Sequence, residues 1–261
     1  MNMTQSAPAI GLSITDQPWQ DPPSMPPTDL PYDDGEPMES SWHAASGPLL
    51  KACYIAARGG QMTDYYVGVN MFVYFSSRQA RNQEYKGPDA YIVHNVDGTR
   101  RRLYWAIWDE DGRYPDVIFE FLSPTTQDVD LGSKKQLYEQ TFHAVEYFCI
   151  APEVERLLGW RLVDGAYVEI TPDAQGRLWS KELQLWLGAW TGVYLGEEHT
   201  WPRFYHPDGT LVLLAEETER LRAEQAEQQA KTERQRADEL SVQVAALQAE
   251  IARFRDTGAA E

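Results

Sequence analysis

Hydrophobic positions divide the chain into elements before any chemistry is considered. Leu49, Leu50, Cys53, Tyr54 and Ala57 recur at helical spacing, and Gly59-Gly60 follows as a stop, so the pattern predicts a first helix. Tyr65 to Phe75 is rich in β-branched and aromatic residues and reads as one long strand, with Gly68 and Asn70 as bulge positions. Asp89 to His94, Leu103 to Trp108 and Asp116 to Leu122 read as further strands, separated by the turn dipeptides Asp97-Gly98 and Asp111-Gly112. From Asp130 to Phe142 the residues Leu131, Lys134/Lys135, Tyr138 and Phe142 share one face of a second helix, which a short apolar strand, Val145 to Ile150, follows. A crossover helix most naturally lays that strand beside the preceding one. Arg156–Val163 and Ala166–Ile170 form a hairpin around Asp164-Gly165, and Leu183–Leu187 with the Trp-rich stretch to Tyr205 closes the domain. The expectation is a mixed α/β core of one sheet and two or three helices.

After Gly209 the pattern changes. Residues 211 to 255 contain no Gly or Pro, and Leu240, Val244, Leu247, Ile251 and Phe254 alternate by four and three, the spacing of coiled-coil a and d positions. Leu214 and Leu221 fall off that register. The tail reads as a coiled-coil helix over 211–258, most simply a homodimer seam, with a single solvated helix as the other reading.

Within this pattern the strand Tyr114-Pro-Asp-Val-Ile-Phe-Glu-Phe-Leu122 stands out, because it sets Asp116 and Glu120 inside a hydrophobic run. An ionised carboxylate removed from water is costly unless it is paired or bound to a metal. The two acids are four residues apart, which places them on one face of the strand but about 13 Å distant. They cannot share one metal ion. Asp89, at the start of another strand, is the better partner for Glu120.

Composition alters the picture at the ends of the chain. Residues 1 to 50 contain no Lys or Arg and seven acids, and eight of the sixteen prolines lie before residue 40. Such a segment buries too little apolar surface to offset its ordering entropy, so 1–40 reads as a disordered acidic tail and 41–210 as the folded domain. Neither a secretory signal nor a run of eighteen apolar residues is present, which leads to the expectation of a cytoplasmic protein that spans no membrane. Cys53 and Cys149 lie in apolar company and read as buried hydrophobes. The net charge of −17 opposes nucleic-acid binding at first sight. Most of that charge sits at the ends, however, and residues 51–210 carry −6.

The stretch from Gly87 to Pro152 resembles the Uma-type family of endonucleases, abundant in cyanobacteria, within the PD-(D/E)XK restriction-endonuclease-like superfamily. The residues that carry the resemblance are Gly87-Pro88-Asp89, Pro115-Asp116 through Glu120 to Ser123-Pro124-Thr-Thr126, Asp130-Leu-Gly-Ser-Lys134 with Tyr138, and Glu146-Tyr147-Phe148. The fold implied is α/β: a restriction-endonuclease-like core, a mixed β-sheet flanked by helices, with a C-terminal coiled-coil helix. The activity implied is Mg²⁺-dependent, or Mn²⁺-dependent, hydrolysis of phosphodiester bonds in DNA.

Bottom-up, the same residues suit that chemistry. Mg²⁺ takes one or two carboxylates and fills its shell with waters and substrate oxygens, which makes Asp89 and Glu120 the expected ligands and the Phe121 backbone carbonyl a third oxygen. The superfamily pattern would place a lysine two residues after Glu120, but Leu122 stands there. The resemblance implies that the lysine has moved to the following helix, where Lys134 matches the family position and would stabilise charge on the transition state. Many superfamily members also carry a Glu on the first helix, yet residues 49–58 contain no acid. Asp116, Ser123 and Asp130 are expected in supporting roles, although each also fits a structural one: Asp116 as a turn cap, Ser123 as a helix cap, Asp130 as a first-turn acid. Asp89 also follows a proline at a strand start and fits a cap as well. Tyr138 reads as packing. His94, His143 and His199 are scattered without ligand spacing. Arg100, Arg101 and Arg102, together with Arg78, Arg81 and Lys86, flank the expected site and read either as phosphate contacts or as solvated charge. Two rivals to a DNA endonuclease remain at this level: an inactive nuclease-fold scaffold that recruits partners through its coiled coil, and hydrolysis of a small phosphodiester.

Overall fold

A computed structural model describes Leu30, residues 40–76 and residues 87–258. The rest of the expected acidic tail lies outside the described residues. Leu30 itself is buried, in a small cluster with Phe72, Tyr74 and Ala106.

The first helix, α1 (Ser41–Ala57), starts eight residues earlier than the apolar spacing predicts. Ser40 caps it by accepting the His43 amide, and the helix continues through Pro48. Proline normally excludes the helical region for its predecessor through a clash that involves the predecessor's Cβ. Gly47 has no Cβ, and one built there would meet Val69 Cγ1 at 2.7 Å, so glycine serves both the backbone and the packing. The predicted stop holds: Gly59 and Gly60 adopt φ of +80° and +87° and their amides close on Ala56 and Ile55.

The predicted strand over residues 65–75 is two strands, β1 (Tyr65–Val69) and β2 (Val73–Tyr74), interrupted at Asn70 with φ +48°. β3 spans Ala90–His94, and the strand expected over 103–108 shrinks to β4 (Trp105–Ala106) before a single 3₁₀ turn. β5 (Val117–Phe121) is followed by one helical segment, α2, composed of Gln127–Val129, Asp130–Lys134, Lys135–Leu137 and Tyr138–Phe142, in which α and wider π turns alternate. β6 (Glu146–Ile150), β7 (Leu157–Val163) and β8 (Ala166–Glu169) complete a six-stranded mixed sheet of order β1-β3-β5-β6-β7-β8. β5 and β6 run parallel across the α2 crossover and are buried on both faces.

In place of one sheet, the described residues form three. β2 pairs with β4, and β9 (Leu178–Ser180), β10 (Leu185–Tyr194) and β11 (Glu197–Tyr205) form a separate antiparallel sheet. That sheet covers α1, with Trp42 stacked on Trp201 and Tyr54 packed edge-on against Phe204. The core is therefore double. Val117, Phe119 and Phe121 of β5 face the α1 layer, whereas Ile118 and Leu122 face α2. Strand alternation puts Glu120 on the α2 side.

The last helix, α3 (Ala215–Gly258), leaves the domain from a fixed root. Arg203 is fully buried on β11 and grips the Glu217 carboxylate with both terminal nitrogens, at 3.1 and 2.8 Å. Leu214, off the coiled-coil register, is buried in the core instead. Further along, Leu240, Val244, Leu247 and Ile251 are all exposed, and the Phe254 side chain lies outside those described. Among the described residues no helix is long and apolar enough to cross a membrane.

Candidate active site

Glu120 is fully enclosed, with every polar neighbour supplied by another element. Lys134 Nζ donates to its Oε2 at 3.0 Å and the Tyr138 hydroxyl to its Oε1 at 2.8 Å. Lys134 also lies 2.9 Å from Asp130 Oδ1, and Asp130 is itself buried. Asp130, Lys134 and Tyr138 are spaced by four. In a straight α-helix four residues overshoot one turn by about 40°, so a series of three would drift around the axis. The wider π turns of α2 reduce that drift and keep all three over Glu120. The Tyr147 hydroxyl donates to the Asp130 carbonyl at 2.9 Å and ties this part of α2 to β6.

Asp89 approaches from the head of β3. Its Oδ2 accepts the Phe121 amide at 2.6 Å, which fixes it one residue from Glu120 on the neighbouring strand and sets the two carboxyls side by side. Burial pushes Glu120 up to about 8, and the nearby charges of Asp89 and Asp130 add to the effect against the opposing pull of Lys134. Burial raises Asp89 as well. Lys134 is held charged: burial favours its neutral form, but Glu120 and Asp130 outweigh that and push its pKa up.

The structure thus brings together Asp89, Glu120, Lys134 and Asp130. It adds Tyr138, which the sequence reading assigned to packing. The signal was present, since Tyr138 stands one turn beyond Lys134 on the same face. The neighbouring Lys135 points elsewhere, with its Nζ 4.2 Å from the centre of the Trp160 ring. Phe121 meets the site through its amide. Ser123 braces the turn that leads into α2, with its Oγ accepting the Thr126 amide at 3.1 Å, while the first helical residue Gln127 has no side-chain cap.

Other residues do not join the group. Asp116 lies at the far end of β5, where its Oδ2 accepts the His94 amide at 2.7 Å; His94 in turn contacts Glu182 at 3.0 Å and the Tyr54 hydroxyl at 2.8 Å. Its place is a brace between the ends of β3 and β5. Arg100, Arg101 and Arg102 follow the end of β3 that is opposite to Asp89, so they do not flank the carboxyl pair. Arg102 is committed to the fold: it forms a two-pronged ion pair with Glu110 at 2.7 and 2.9 Å and stacks on Tyr66 and Trp105. Arg100 and Arg101 are exposed. Arg78, Arg81 and Lys86 lie outside the described residues.

Among the described residues no group of three or more His, Cys, Asp and Glu side chains is disposed to hold a metal ion. Two carboxyls are nevertheless the complement that Mg²⁺ uses when waters and substrate oxygens complete its shell. A cation between Asp89 and Glu120 would relieve the repulsion of two neighbouring acids. In that sense the residues fit a divalent ion.

No curated protein matches the chain. One similar solved structure is the crystal structure of a putative nuclease belonging to DUF820 from Anabaena variabilis, with 15% identity, a TM-score of 0.37, and coverage of 55% of this chain and 78% of that one. The family model that matches is Uma2, described as "Putative restriction endonuclease", and it spans residues 24–193, which include β1 to β9, both site carboxyls and the whole of α2. The chain belongs to the Uma2 family.

Proposed function

We propose that the protein is a Mg²⁺- or Mn²⁺-dependent endonuclease that hydrolyses phosphodiester bonds in DNA, with Asp89 and Glu120 as metal ligands and Lys134 as the catalytic cation. The observation that carries this reading is the fully buried Glu120 carboxyl with Lys134 3.0 Å away and Asp89 of the neighbouring strand held alongside by the Phe121 amide. A divalent ion there would supply Lewis acidity and a lowered pKa for bound water. The chain's own groups do the rest. The Phe121 amide orients Asp89, Tyr138 and Lys134 orient Glu120, and the Phe121 carbonyl is a further oxygen for the ion in this reading. Once Glu120 is engaged elsewhere, Lys134 has a charge to offer the pentavalent phosphorus centre, while Asp130 keeps its ammonium in place.

We also propose that α3 pairs with a second copy. A helix of 44 residues is about 66 Å long, far more than its root needs, and its exposed Leu240, Val244, Leu247 and Ile251 repeat by four, three and four. A homodimer would set two carboxyl sites on one scaffold, one for each strand of a duplex.

Purified protein with Mn²⁺ is expected to nick supercoiled plasmid, and Glu120→Ala to abolish nicking. Equal behaviour of the two proteins would refute the catalytic assignment. The rival scaffold reading predicts no saturable Mn²⁺ binding by calorimetry.

A further inference from the structure

The end of the sheet where Asp89 and Glu120 meet carries a further cation. β5, β6 and β7 are in register, with Glu120 opposite Cys149 and Cys149 opposite Leu158. Leu158 and Trp160 pack into the cluster under α2, whereas Leu157 packs on the α1 side. The Ala151 amide donates to the Arg156 carbonyl at 2.9 Å and carries the β6–β7 pairing one residue beyond Leu157. Strand alternation therefore aims Arg156 at the α2 face, the face of Glu120. Its guanidinium confirms the direction, because Nη2 donates to Oε1 of Gln127, the first residue of α2, at 3.3 Å. β7 lies two strand spacings from β5, and Arg156 lies two residues past the Glu120 row toward the end of β5. The two Cα positions are therefore about 12 Å apart on one face, and the chain from β5 to Gln127 bridges that gap.

Arg156 is exposed and has no carboxylate partner among the described residues. That sets it apart from Arg58, Arg102, Arg161, Arg177 and Arg203, each of which is ion-paired. Exposed Asp128 and Glu155 adjoin Gln127 and Arg156 in sequence, yet neither forms an ion pair with the guanidinium. Gln127 supplies a neutral acceptor, so it orients the group and leaves its charge uncompensated. A guanidinium has five N–H donors, which leaves a planar fork of the shape that grips two phosphate oxygens. The start of β7 is thus placed to give the basic contact beside the carboxyl pair that Arg100, Arg101 and Arg102, past the opposite end of β3, are too far away to give.

We propose that Arg156, oriented by Gln127, binds a backbone phosphate of the DNA strand beside the phosphate seated at Asp89 and Glu120. The proposal rests on the reading of that pair as the cleavage site. A contact of this kind fixes the position of the strand and carries no base preference. The strand would then run across the ends of β3, β5 and β7, with Lys134 at the scissile phosphate and Arg156 at its neighbour.

The test is the salt dependence of binding. A fluorescent DNA duplex is titrated with the full chain and followed by anisotropy, with Ca²⁺ at one fixed concentration to prevent turnover and NaCl varied from about 50 to 200 mM. Each phosphate neutralised adds about 0.9 to the slope of log affinity against log salt. Arg156→Ala is expected to weaken binding about tenfold at the low end of that range and to lower the slope by about 0.9, equally for duplexes of different sequence. Arg156→Lys, which keeps the charge, should retain the wild-type slope. Arg101→Ala removes another exposed charge, at the opposite end of the sheet, and should leave the slope as in the wild type. An unchanged slope in Arg156→Ala, an equal fall in Arg101→Ala, or a wild type that binds no duplex would overturn the proposal. Arg156 is exposed, so its variants keep the fold, which melting by circular dichroism checks. Plasmid nicking by the wild type with Mn²⁺ reports on the cleavage reading separately. Nicking together with an unchanged Arg156→Ala slope overturns the Arg156 contact alone, whereas a lowered slope without nicking leaves the contact standing and overturns the cleavage reading.

Discussion

Replacing Glu120 by glutamine removes the one charge that the site is built to suppress, so the cost of that charge can be read from stability. An ordinary glutamate titrates near 4.5, whereas Glu120 in the fold titrates at about 8 because it is buried. The folded protein holds this proton more tightly than the unfolded chain. The stability linked to Glu120 is therefore fully present below about pH 4.5 and is lost as the pH rises through 8. Taken at face value the linked free energy is on the order of 5 kcal/mol, comparable with the whole stability of a small domain. A glutamine has no such slope. In metal-free buffer the melting temperature of Glu120→Gln, measured by circular dichroism at pH 5, 7 and 9, should rise relative to wild type by roughly 10–20 °C across the series, at about 2–4 °C per kcal/mol for a domain of this size. Mn²⁺ should restore the wild type at pH 9 and leave the variant unchanged. Parallel melting profiles for the two proteins would refute the idea that Glu120 is held as a buried, protonated acid.

Three further outcomes follow from particular contacts. Tyr138→Phe removes the hydroxyl that favours the ionised form of Glu120, so Mn²⁺ affinity at pH 7 should fall about tenfold by calorimetry and recover at higher pH, because a hydrogen bond to a charged group contributes roughly 1.5–3 kcal/mol. Glu217→Ala leaves the fully buried Arg203 without its carboxylate and should destabilise the domain by about 3–5 kcal/mol in urea unfolding, whereas an unchanged midpoint would show that α3 is not rooted there. Leu247→Glu places a charge in the exposed apolar stripe of α3 and should convert a dimer to a monomer in analytical ultracentrifugation without altering the melting of the core.

The parts of the molecule that announce themselves in the sequence are those with a simple period. β3, β5, β6 and the β7–β8 hairpin follow from apolar runs bounded by turn dipeptides, and the break at Asn70 falls at a position marked as a bulge. The start of α1 was hidden because Gly47-Pro48 reads as a boundary. The tolerance of proline there depends on the missing glycine Cβ and on tertiary space beside Val69, neither of which has a periodic trace. The three-stranded sheet over α1 was obscured because apolar residues such as Val193 on β10 and Leu195 in the following turn are exposed, so alternation does not separate its faces.

At the site, residue types were legible and connections were not. Glu120 stood out as an acid in a hydrophobic strand, and its period-two neighbours identify the face it takes. Asp116 shares its strand and its chemistry, and only the strand pairing shows that it braces His94 instead. The arginine triplet looked close to Asp89 along the chain, yet one strand length separates them in space. Helical spacing places Tyr138 beside Lys134, but that Asp130 joins both over Glu120 depends on π turns, which a regular helix does not contain.

The central claim is that Asp89 and Glu120 jointly hold a divalent ion beside Lys134, and a crystal structure of the protein soaked in Mn²⁺ tests it most directly. The account predicts an anomalous peak between the two carboxylates, with a bound water in reach of Lys134. Saturating Mn²⁺ that leaves no peak there would contradict it.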